Sequence, residues 1–487
     1  MKKLTELLEH IEVTGSGGNL PDEVSDIAAD SRRVKEGGVF VALKGGTFDG
    51  GDYIKDALKS GAALVVSDGA ETKVRNTGAP YVIVKNAREA YAFMAANYFD
   101  NPARDMRFVG VSGTNGKTTI AHMIYHILSS NGIKTGLSGT IGNIIGGERF
   151  PTDMTTPDPY EFFGMLKKMR GAGTEVVVSE VSAHAVYLKK INPVIADVAV
   201  FTNCSQDHLD FFKTMEKYAE VKRSYFTKKH ARSVVINADD RVGVEIINGS
   251  DARVVSYGIK NPADVFAVNI RLAASGASFF VNLFDDVESV RIPLTGLFNV
   301  YNALAAMTAA RLLNVSARDS AESLSTLPEI PGRFNIVSAE KCDFVIDYAH
   351  SPDGLKQILT AARGITRGKV ICVFGCGGDR DKKKRPLMGR IAAEYADFTV
   401  LTSDNPRFEE PDAIISDIES GIKGINARYM NIIDRESAIR KAYETAEKND
   451  LIVVAGKGAE NYMEIKGIKY DYGDRETVEK IIGKYAT

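Results

Sequence analysis

The residues with the clearest chemical signature run Val109-Gly-Val-Ser-Gly-Thr-Asn-Gly-Lys-Thr-Thr119, an apolar strand-like run, a glycine-rich turn and the opening of a helix. Backbone N–H groups around Gly113, Thr114, Asn115 and Gly116 can cradle phosphate oxygens, and the helix dipole behind them favours negative charge. Lys117 adds a mobile cation for the outer phosphates, and the Thr118 hydroxyl, with Thr119 beside it, can sit on a magnesium ion. The general phosphate-loop pattern wants a glycine where Val111 stands, so the turn is the shorter G-x-x-G-K-T form. A bare glycine-rich turn is the plain alternative. Lysine and two threonines after an apolar strand favour a nucleoside triphosphate site.

Magnesium beside a triphosphate calls for hard oxygen donors. Glu180 ends one apolar run, and Asp207-His208 follows another within Asn203-Cys-Ser-Gln-Asp-His-Leu-Asp210. A lone histidine is more often structural than a ligand. His208 has polar side chains on both sides, which favours a functional role.

These groups must be positioned by a large framework. At 487 residues the chain is too long for one core, and about 150 residues per domain suggests about three domains. A hydrophobic fraction of 44% and a charged fraction of 25% suit a globular protein, and a net charge of −2 argues against nucleic acid or an anionic membrane as the main partner. Cys204, Cys342, Cys372 and Cys376 are too few and too scattered for a disulfide framework and read as buried thiols of a reducing compartment. The N-terminus has acidic residues where a signal peptide would not. No apolar run approaches the ~20 residues of a membrane span. The protein is expected in the cytoplasm.

Residues 1–99 predict a small α/β unit with strands at Gly38–Leu43, Ala63–Ser67 and Tyr81–Val84. Residues 100–329 predict a larger α/β domain with runs at Glu175–Glu180, Val198–Asn203 and Ser233–Asn237. Continuous β-branched runs predict parallel strands buried on both faces, with ligands beyond their carboxyl ends. Residues 330–487 repeat that grammar at Phe344–Asp347, Val370–Phe374, Phe398–Leu401 and Leu451–Val454. The loops after these strands would form a second ligand-binding rim. The basic run Lys382–Arg385 fits a solvated helix start or a contact to phosphate or carboxylate equally well.

Several motifs together resemble the ATP-dependent Mur ligases: the phosphate loop, Glu180-Val-Ser-Ala-His184, Thr202–Asp210, Asn237-Ala-Asp-Asp240, Gly296–Asn302, Pro331-Gly-Arg-Phe334 and Asp347-Tyr-Ala-His350. Asp30-Ser-Arg32, Asp49-Gly50 and Asp404-Asn-Pro-Arg407 resemble the branch that adds 2,6-diaminopimelate to UDP-N-acetylmuramoyl-L-alanyl-D-glutamate in peptidoglycan precursor synthesis. The resemblance implies a UDP-binding N-terminal domain, a central P-loop ATPase-like parallel-sheet domain and a Rossmann-like C-terminal domain. It implies that ATP phosphorylates the D-glutamate side-chain carboxylate and that the incoming amine expels phosphate from the acyl phosphate. By the same resemblance Lys117, His208 and Lys222 serve catalysis, and Asn299, Asn302, Arg333, Asp347 and His350 hold ATP with the phosphate loop. Thr118, Glu180, His208 and Lys222, the last as a carbamate, would hold magnesium. From the sequence alone Lys222 is a helix-surface lysine. Ser31, Thr155, Thr156, Ser182 and Lys190 match positions that hold the UDP-linked substrate, Lys190 standing where relatives often carry arginine.

The resemblance makes the C-terminal segment the selector of the amino acid. Diaminopimelate differs from L-lysine by a distal carboxylate, which a planar guanidinium recognises best. Arg407 is expected to supply it, with Arg380 second, in a site completed by Asp404, Asn405, Pro406, Gly456 and Glu460. Ala459 stands where such enzymes usually have histidine. A lysine-adding ligase, a folylpolyglutamate-synthase-like ligase and a non-catalytic nucleotide-binding regulator are the rival readings. The partners expected are small molecules, the cofactors ATP and Mg2+, and the working form a monomer.

Overall fold

The continuous β-branched runs become strands without an exposed residue, as in Gly38–Ala42, Val176–Glu180, Val370–Phe374 and Leu451–Ala455. The structure is a computed structural model that describes residues 1–485 apart from 47, 70, 426 and 427. These divide into two units: residues 1–110, 133–199 and 227–232, and residues 111–132, 200–226 and 233–487. The strands Arg107–Ser112 and Ala196–Phe201 begin in the first unit and end in the second.

The first unit contains a five-stranded sheet in the order Val13–Gly17, Tyr81–Val84, Ala62–Ser67, Gly38–Ala42, Ile27–Ala28. Its first pairing is antiparallel and the other three are parallel. The helix Ala87–Tyr98 begins where the Asn86 side chain accepts from the Glu89 N–H, which satisfies one of the free donors of the first turn. In the same unit Val176–Glu180 pairs in parallel with Thr135–Gly139.

In the second unit the order Asn335–Val337, Asp343–Asp347, Leu451–Ala455, Val370–Phe374, Phe398–Leu401, Tyr429–Asn431 makes a six-stranded sheet. All of its pairings but the first are parallel. Val370, Cys372 and Phe374 pack into one core with Leu355, Met388 and Ile414, while Ile371 and Val373 pack on the other face with Ile439 and Val478. The two-residue period of the strand thus feeds two helix layers, the doubly wound arrangement expected for this segment.

One part of the expectation differs. Val265–Ala273, Gly276–Leu283 and Asp286–Ile292 pair antiparallel, not parallel. Val268, Phe280 and Val287 on these strands are exposed while Val281 and Val290 are fully buried. One face of this ribbon meets solvent, which suits antiparallel pairing and short connections. The reversals use Gly276 and Asp285, both at positive φ.

The helix Lys117–Ser130 follows Gly116, which is left-handed at φ +88 and offers no side-chain cap. Its first N–H groups therefore lack the partner a serine or aspartate would give. Cys342, Cys372 and Cys376 are buried and Cys204 is half-buried, all with free thiols. Among the described residues no helix is long and apolar enough to cross a membrane.

Candidate active site

The phosphate loop is shaped by its neighbours as much as by its glycines. A Cβ on Gly113 would run into Thr202, and one on Gly116 would stand 2.7 Å from Asn302 Oδ1. Both glycines hold positive φ, so any other residue would be strained as well as crowded. The Thr114 N–H donates to the Asn203 carbonyl (2.9 Å), the Asn115 N–H to Asn203 Oδ1 (3.0 Å), and Thr202 Oγ1 to the Asn115 carbonyl (2.6 Å). Asn302 donates to Asn299 Oδ1 at 2.9 Å, and Asn299 donates to the Thr295 carbonyl at 2.7 Å. Lys117 Nζ rests on the carbonyls of Gly113 (3.0 Å) and Thr114 (2.8 Å). These are neutral acceptors that an incoming phosphate can replace. Thr118 and Thr119 are both buried.

Residues from the far end of the chain reach the same loop. Arg333 Nη2 donates to Thr118 Oγ1 at 2.8 Å while the guanidinium lies over Tyr348, 4.7 Å from the ring centre. Asp347 accepts from the N–H groups of Phe334 and Ala349, each at 2.8 Å. Burial raises its carboxyl, against the pull of Arg333. Asn115 Nδ2 donates to Asp353 at 2.9 Å, and Ser351 Oγ donates to Asn115 Oδ1 at 3.3 Å.

Asp207 is the buried centre of a charged cluster. It faces Lys384 Nζ at 3.3 Å, His350 Nε2 at 3.3 Å and His208 Nε2 at 3.5 Å. Burial would raise this carboxyl, but Lys384 and the two imidazoles outweigh it and hold the group well below the ordinary carboxylate range. Gln206 donates to Asp381 at 3.2 Å beside it. The basic run is thus no solvated helix start: Lys384 and Arg385 are buried on carboxylates, and only Lys382 and Lys383 face outward.

Lys222 departs from the sequence reading most sharply. Its helix, Met215–Tyr225, turns it inward, so the residue is 0% exposed. Nζ lies 4.6 Å from the centre of the Tyr218 ring and has no hydrogen-bond partner. Burial, with Lys117 adding to it, pushes the amine down to about 7. A buried amine whose charged form is disfavoured is more often the neutral nucleophile that carbon dioxide requires.

In the first unit Glu180 is fully buried and accepts from the Thr140 N–H (2.8 Å) and Thr140 Oγ1 (3.0 Å). Thr156 Oγ1 donates to the Glu180 carbonyl at 2.9 Å and accepts from the Ser182 N–H at 3.0 Å, while Thr155 Oγ1 meets Thr140 Oγ1 at 3.0 Å. Thr155, Thr156, Glu180 and Ser182 therefore form one cluster. Ser31 sits on the short 3-10 turn Ser31–Arg33, capped by Asp30. Lys190 pairs with Asp158 at 2.7 Å on the wall of a cavity of about 360 Å3. Arg33, Arg88 and Tyr91 line that cavity too. Arg88 and Tyr91 had no sequence signal beyond an ordinary helix, while Arg33 belongs to the polar turn Asp30–Arg33, for which ligand contact and a plain surface turn are equally good readings of the sequence. Among the described residues no three or more His, Cys, Asp or Glu side chains converge as a ready metal site.

The expected amino-acid rim is a network of alternating charges. Lys457 Nζ, fully buried, meets Asn405 Oδ1 (3.1 Å), Glu460 (3.2 Å) and Asp404 (3.7 Å). Asn405 Nδ2 donates to Glu460 Oε2 at 2.9 Å, and Tyr348 Oη donates to Glu460 Oε1 at 3.4 Å. Arg407 donates from Nε to Glu464 Oε2 at 3.0 Å and from Nη1 to the Gly378 carbonyl at 2.8 Å. A Cβ on Gly377 would lie 2.9 Å from Arg407 Nη1 and 3.8 Å from the Arg380 side chain. The Arg380 side chain donates to the Asp379 carbonyl and is otherwise exposed. A Cβ on Gly456 would stand 2.6 Å from Asp404. Pro406 lies between Asn405 and Arg407 and is buried. Arg385 braces both loops by donating to Glu409 (2.8 and 3.0 Å), Asp417 (2.9 Å) and the Gly377 carbonyl (3.2 Å). Lys457, Glu464, Arg385 and Glu409 went unnamed as site residues in the sequence reading, because their roles are set by partners 20 to 60 positions away.

Comparison with known proteins places the chain in a family. Residues 23–99 match the model described as Mur ligase family, catalytic domain, residues 111–310 the Mur ligase middle domain, and residues 332–458 the Mur ligase, glutamate ligase domain. A UDP-N-acetylmuramoyl-L-alanyl-D-glutamate–2,6-diaminopimelate ligase of Caldanaerobacter subterraneus subsp. tengcongensis is 43% identical over 468 residues, 96% of each chain. A solved structure of a ligase of the same description is 30% identical, with a TM-score of 0.67 and all of both chains covered. The MurF ligase of Thermotoga maritima, solved in complex with ADP, shares the fold at a TM-score of 0.61 and 21% identity, over 95% of this chain and 97% of that one.

Proposed function

The chain belongs to the Mur ligase family, and from that premise we propose that it joins meso-2,6-diaminopimelate to the D-glutamate of UDP-N-acetylmuramoyl-L-alanyl-D-glutamate at the expense of ATP. The observation that carries this reading is the charge pattern of the rim. Arg407 and Lys457 stand against Asp404, Glu460 and Glu464, with Arg380 exposed beside them, which complements an amino acid bearing two ammonium groups and two carboxylates. Arg407 takes the distal carboxylate and Glu460 the distal ammonium. L-Lysine would leave the guanidinium unpaired, a cost that works against it.

ATP occupies the phosphate loop through Gly113, Thr114, Asn115, Gly116, Thr118 and Thr119, with Asn299, Asn302, Arg333, Asp347 and His350 around the nucleotide. Lys117 leaves the carbonyls of Gly113 and Thr114 and follows charge onto the transferred phosphoryl group. A carboxylate is a poor electrophile until one oxygen becomes a phosphate leaving group. The substrate carboxylate oxygen bonds to the γ-phosphorus as the bond to ADP breaks. The neutral amine then attacks the acyl carbon, and phosphate departs as the amine loses its proton. The protein's part is positioning and charge neutralisation. Ser31, Thr155, Thr156, Ser182 and Lys190 are assigned to the UDP-linked substrate.

Oxygen and nitrogen donors of the types named here suit magnesium. Thr118, Glu180, His208 and Lys222 are assigned to it, and the orphaned Lys222 amine supports the assignment. Its nitrogen bonds the carbon of CO2 and loses a proton, giving an anionic oxygen ligand in place of a cation. When bound, the metal supplies positive charge to the phosphate oxygens. Free thiols and a nucleotide-linked substrate support a cytoplasmic enzyme, which we read as a monomer of three domains, 1–99, 100–329 and 330–487.

Phosphate release with ATP, magnesium and the UDP-dipeptide, comparing diaminopimelate with L-lysine, tests the reading. Release with diaminopimelate alone is expected. Release with lysine alone would overturn the assignment of Arg407, and release with neither would remove the ligase.

A further inference from the structure

Glu464 carries no assigned role, yet it touches Arg407 twice and the neighbouring Asn405 once. Its carboxylate receives the Arg407 Nε–H at 3.0 Å, its carbonyl receives the Arg407 backbone N–H at 3.0 Å, and its own N–H donates to Asn405 Oδ1 at 2.9 Å. Lys466 N–H closes the join by donating to the Arg407 carbonyl at 2.7 Å. The strand Tyr462–Ile465, first half of a hairpin with Ile468–Asp471, is thus laid along the loop that holds Asp404, Asn405 and Arg407. Arg407 itself adopts φ +52, a conformation that costs a non-glycine residue on the order of 1 kcal/mol and persists only where neighbours enforce it.

A guanidinium has five N–H groups in one plane. Glu464 takes the one on Nε and Gly378 takes one on Nη1. The side-on fork, Nε with Nη2, has lost its Nε donor to Glu464, so a carboxylate can bridge two nitrogens only at the end carrying Nη1 and Nη2. Gly377 keeps that end clear, since a Cβ there would lie 2.9 Å from Nη1. Arg407 and Glu464 keep 17% and 24% of their side chains exposed, so the pair sits at the rim and not in the core.

We propose that Glu464 is a positioning residue for amino-acid selection: it fixes the Arg407 guanidinium so that its Nη1–Nη2 end, and only that end, meets the distal carboxylate of the incoming amino acid. The inference rests on the assignment of that carboxylate to Arg407. Without Glu464 the side chain regains its rotamers and the open fork is lost part of the time. The cost falls on binding of the diacid and leaves ATP and the UDP-linked substrate untouched. Charge is secondary in this arrangement. What Glu464 supplies is an acceptor at a fixed place, which glutamine also has.

Steady-state kinetics of Glu464→Ala, Glu464→Gln and Arg407→Ala, each with a thermal melt, test it. For Glu464→Ala the KM for diaminopimelate is expected to rise about tenfold, the loss of one charge-assisted hydrogen bond, with the KM for ATP unchanged. Glu464→Gln is expected within about threefold of the parent, since its amide oxygen keeps the acceptor. If Arg407→Ala raises that KM and Glu464→Ala does not, the positioning role is wrong while the site assignment stands. If Arg407→Ala leaves it unchanged, the site assignment itself is wrong. A lower KM in both Glu464 variants would show the carboxylate to be a competitor for Arg407 and overturn the proposal. Equal rises in all substrate KM values, or a loss in Glu464→Gln as large as in Glu464→Ala, would also overturn it.

Discussion

The phosphate loop and the C-terminal rim bind their ligands on opposite electrostatic plans. The loop is one contiguous stretch whose cation, Lys117, rests on neutral carbonyls. The rim is drawn from residues 376–380, 404–407 and 456–464, and its cations Arg407 and Lys457 already face carboxylates. A triphosphate is a concentrated anion, so its site sets a cation directly on the loop that receives it. An amino acid with two ammonium and two carboxylate groups has no net charge, so its site needs the right order of charges and little excess. Selectivity then comes from arrangement, which depends on how rigidly the rim is braced.

The comparison can be broken from either side. Lys117→Ala removes the cation of the loop and is expected to cost on the order of a thousandfold in phosphate release, with the thermal midpoint nearly unchanged. A drop of less than tenfold would deny the loop its assigned role. Arg385→Met attacks the brace under the rim. The residue is fully buried on Glu409 and Asp417, so the loss is expected to cost about 3 kcal/mol of stability in urea titration. Arg385, with Lys382 and the Asp379 N–H behind it, also holds Glu409 well acidic, at about 2, a shift that shrinks when the guanidinium is removed. Arg407→Ala is expected to raise the KM for diaminopimelate by about ten- to a hundredfold and to leave that for ATP within about twofold. Equal effects on both would erase the division of labour.

A further test concerns Lys222. Its amine is held near 7, below the ordinary 10.5, so the folded protein binds fewer protons than the unfolded chain between those values. In bicarbonate-free buffer, stability should rise with pH across that window and flatten below it. Lys222→Met should remove the slope. With 13C-bicarbonate, carbon NMR should show a carbamate signal in the parent and none in the variant.

How much was legible in the sequence follows the same contrast. The phosphate loop could be read because its chemistry is backbone chemistry, written in consecutive glycines before Lys117 and Thr118. The strands at Tyr81–Val84, Val370–Phe374 and Phe398–Leu401 were placed to the residue, since continuous apolar runs leave no other stable assignment. The ribbon 265–292 was missed because its strands alternate exposure and look like polar surface. Lys222 was misread for a related reason. A helix lysine looks solvated in sequence, and only the packing of Tyr218 over it shows the burial. Arg407 was visible through its motif and Arg385 only as one of two readings of a basic run, while Glu464 was not visible, since its meaning lies in a partner 57 residues away.

One measurement reaches the shared chemistry of both regions. The D-glutamate side-chain carboxylate of the UDP-dipeptide is labelled with 18O, and the phosphate released in the presence of ATP, magnesium and diaminopimelate is analysed by mass spectrometry. One labelled oxygen in each phosphate is expected, because the carboxylate oxygen becomes the leaving group of the acyl phosphate. Unlabelled phosphate formed along with the tripeptide product would contradict activation of that carboxylate by ATP.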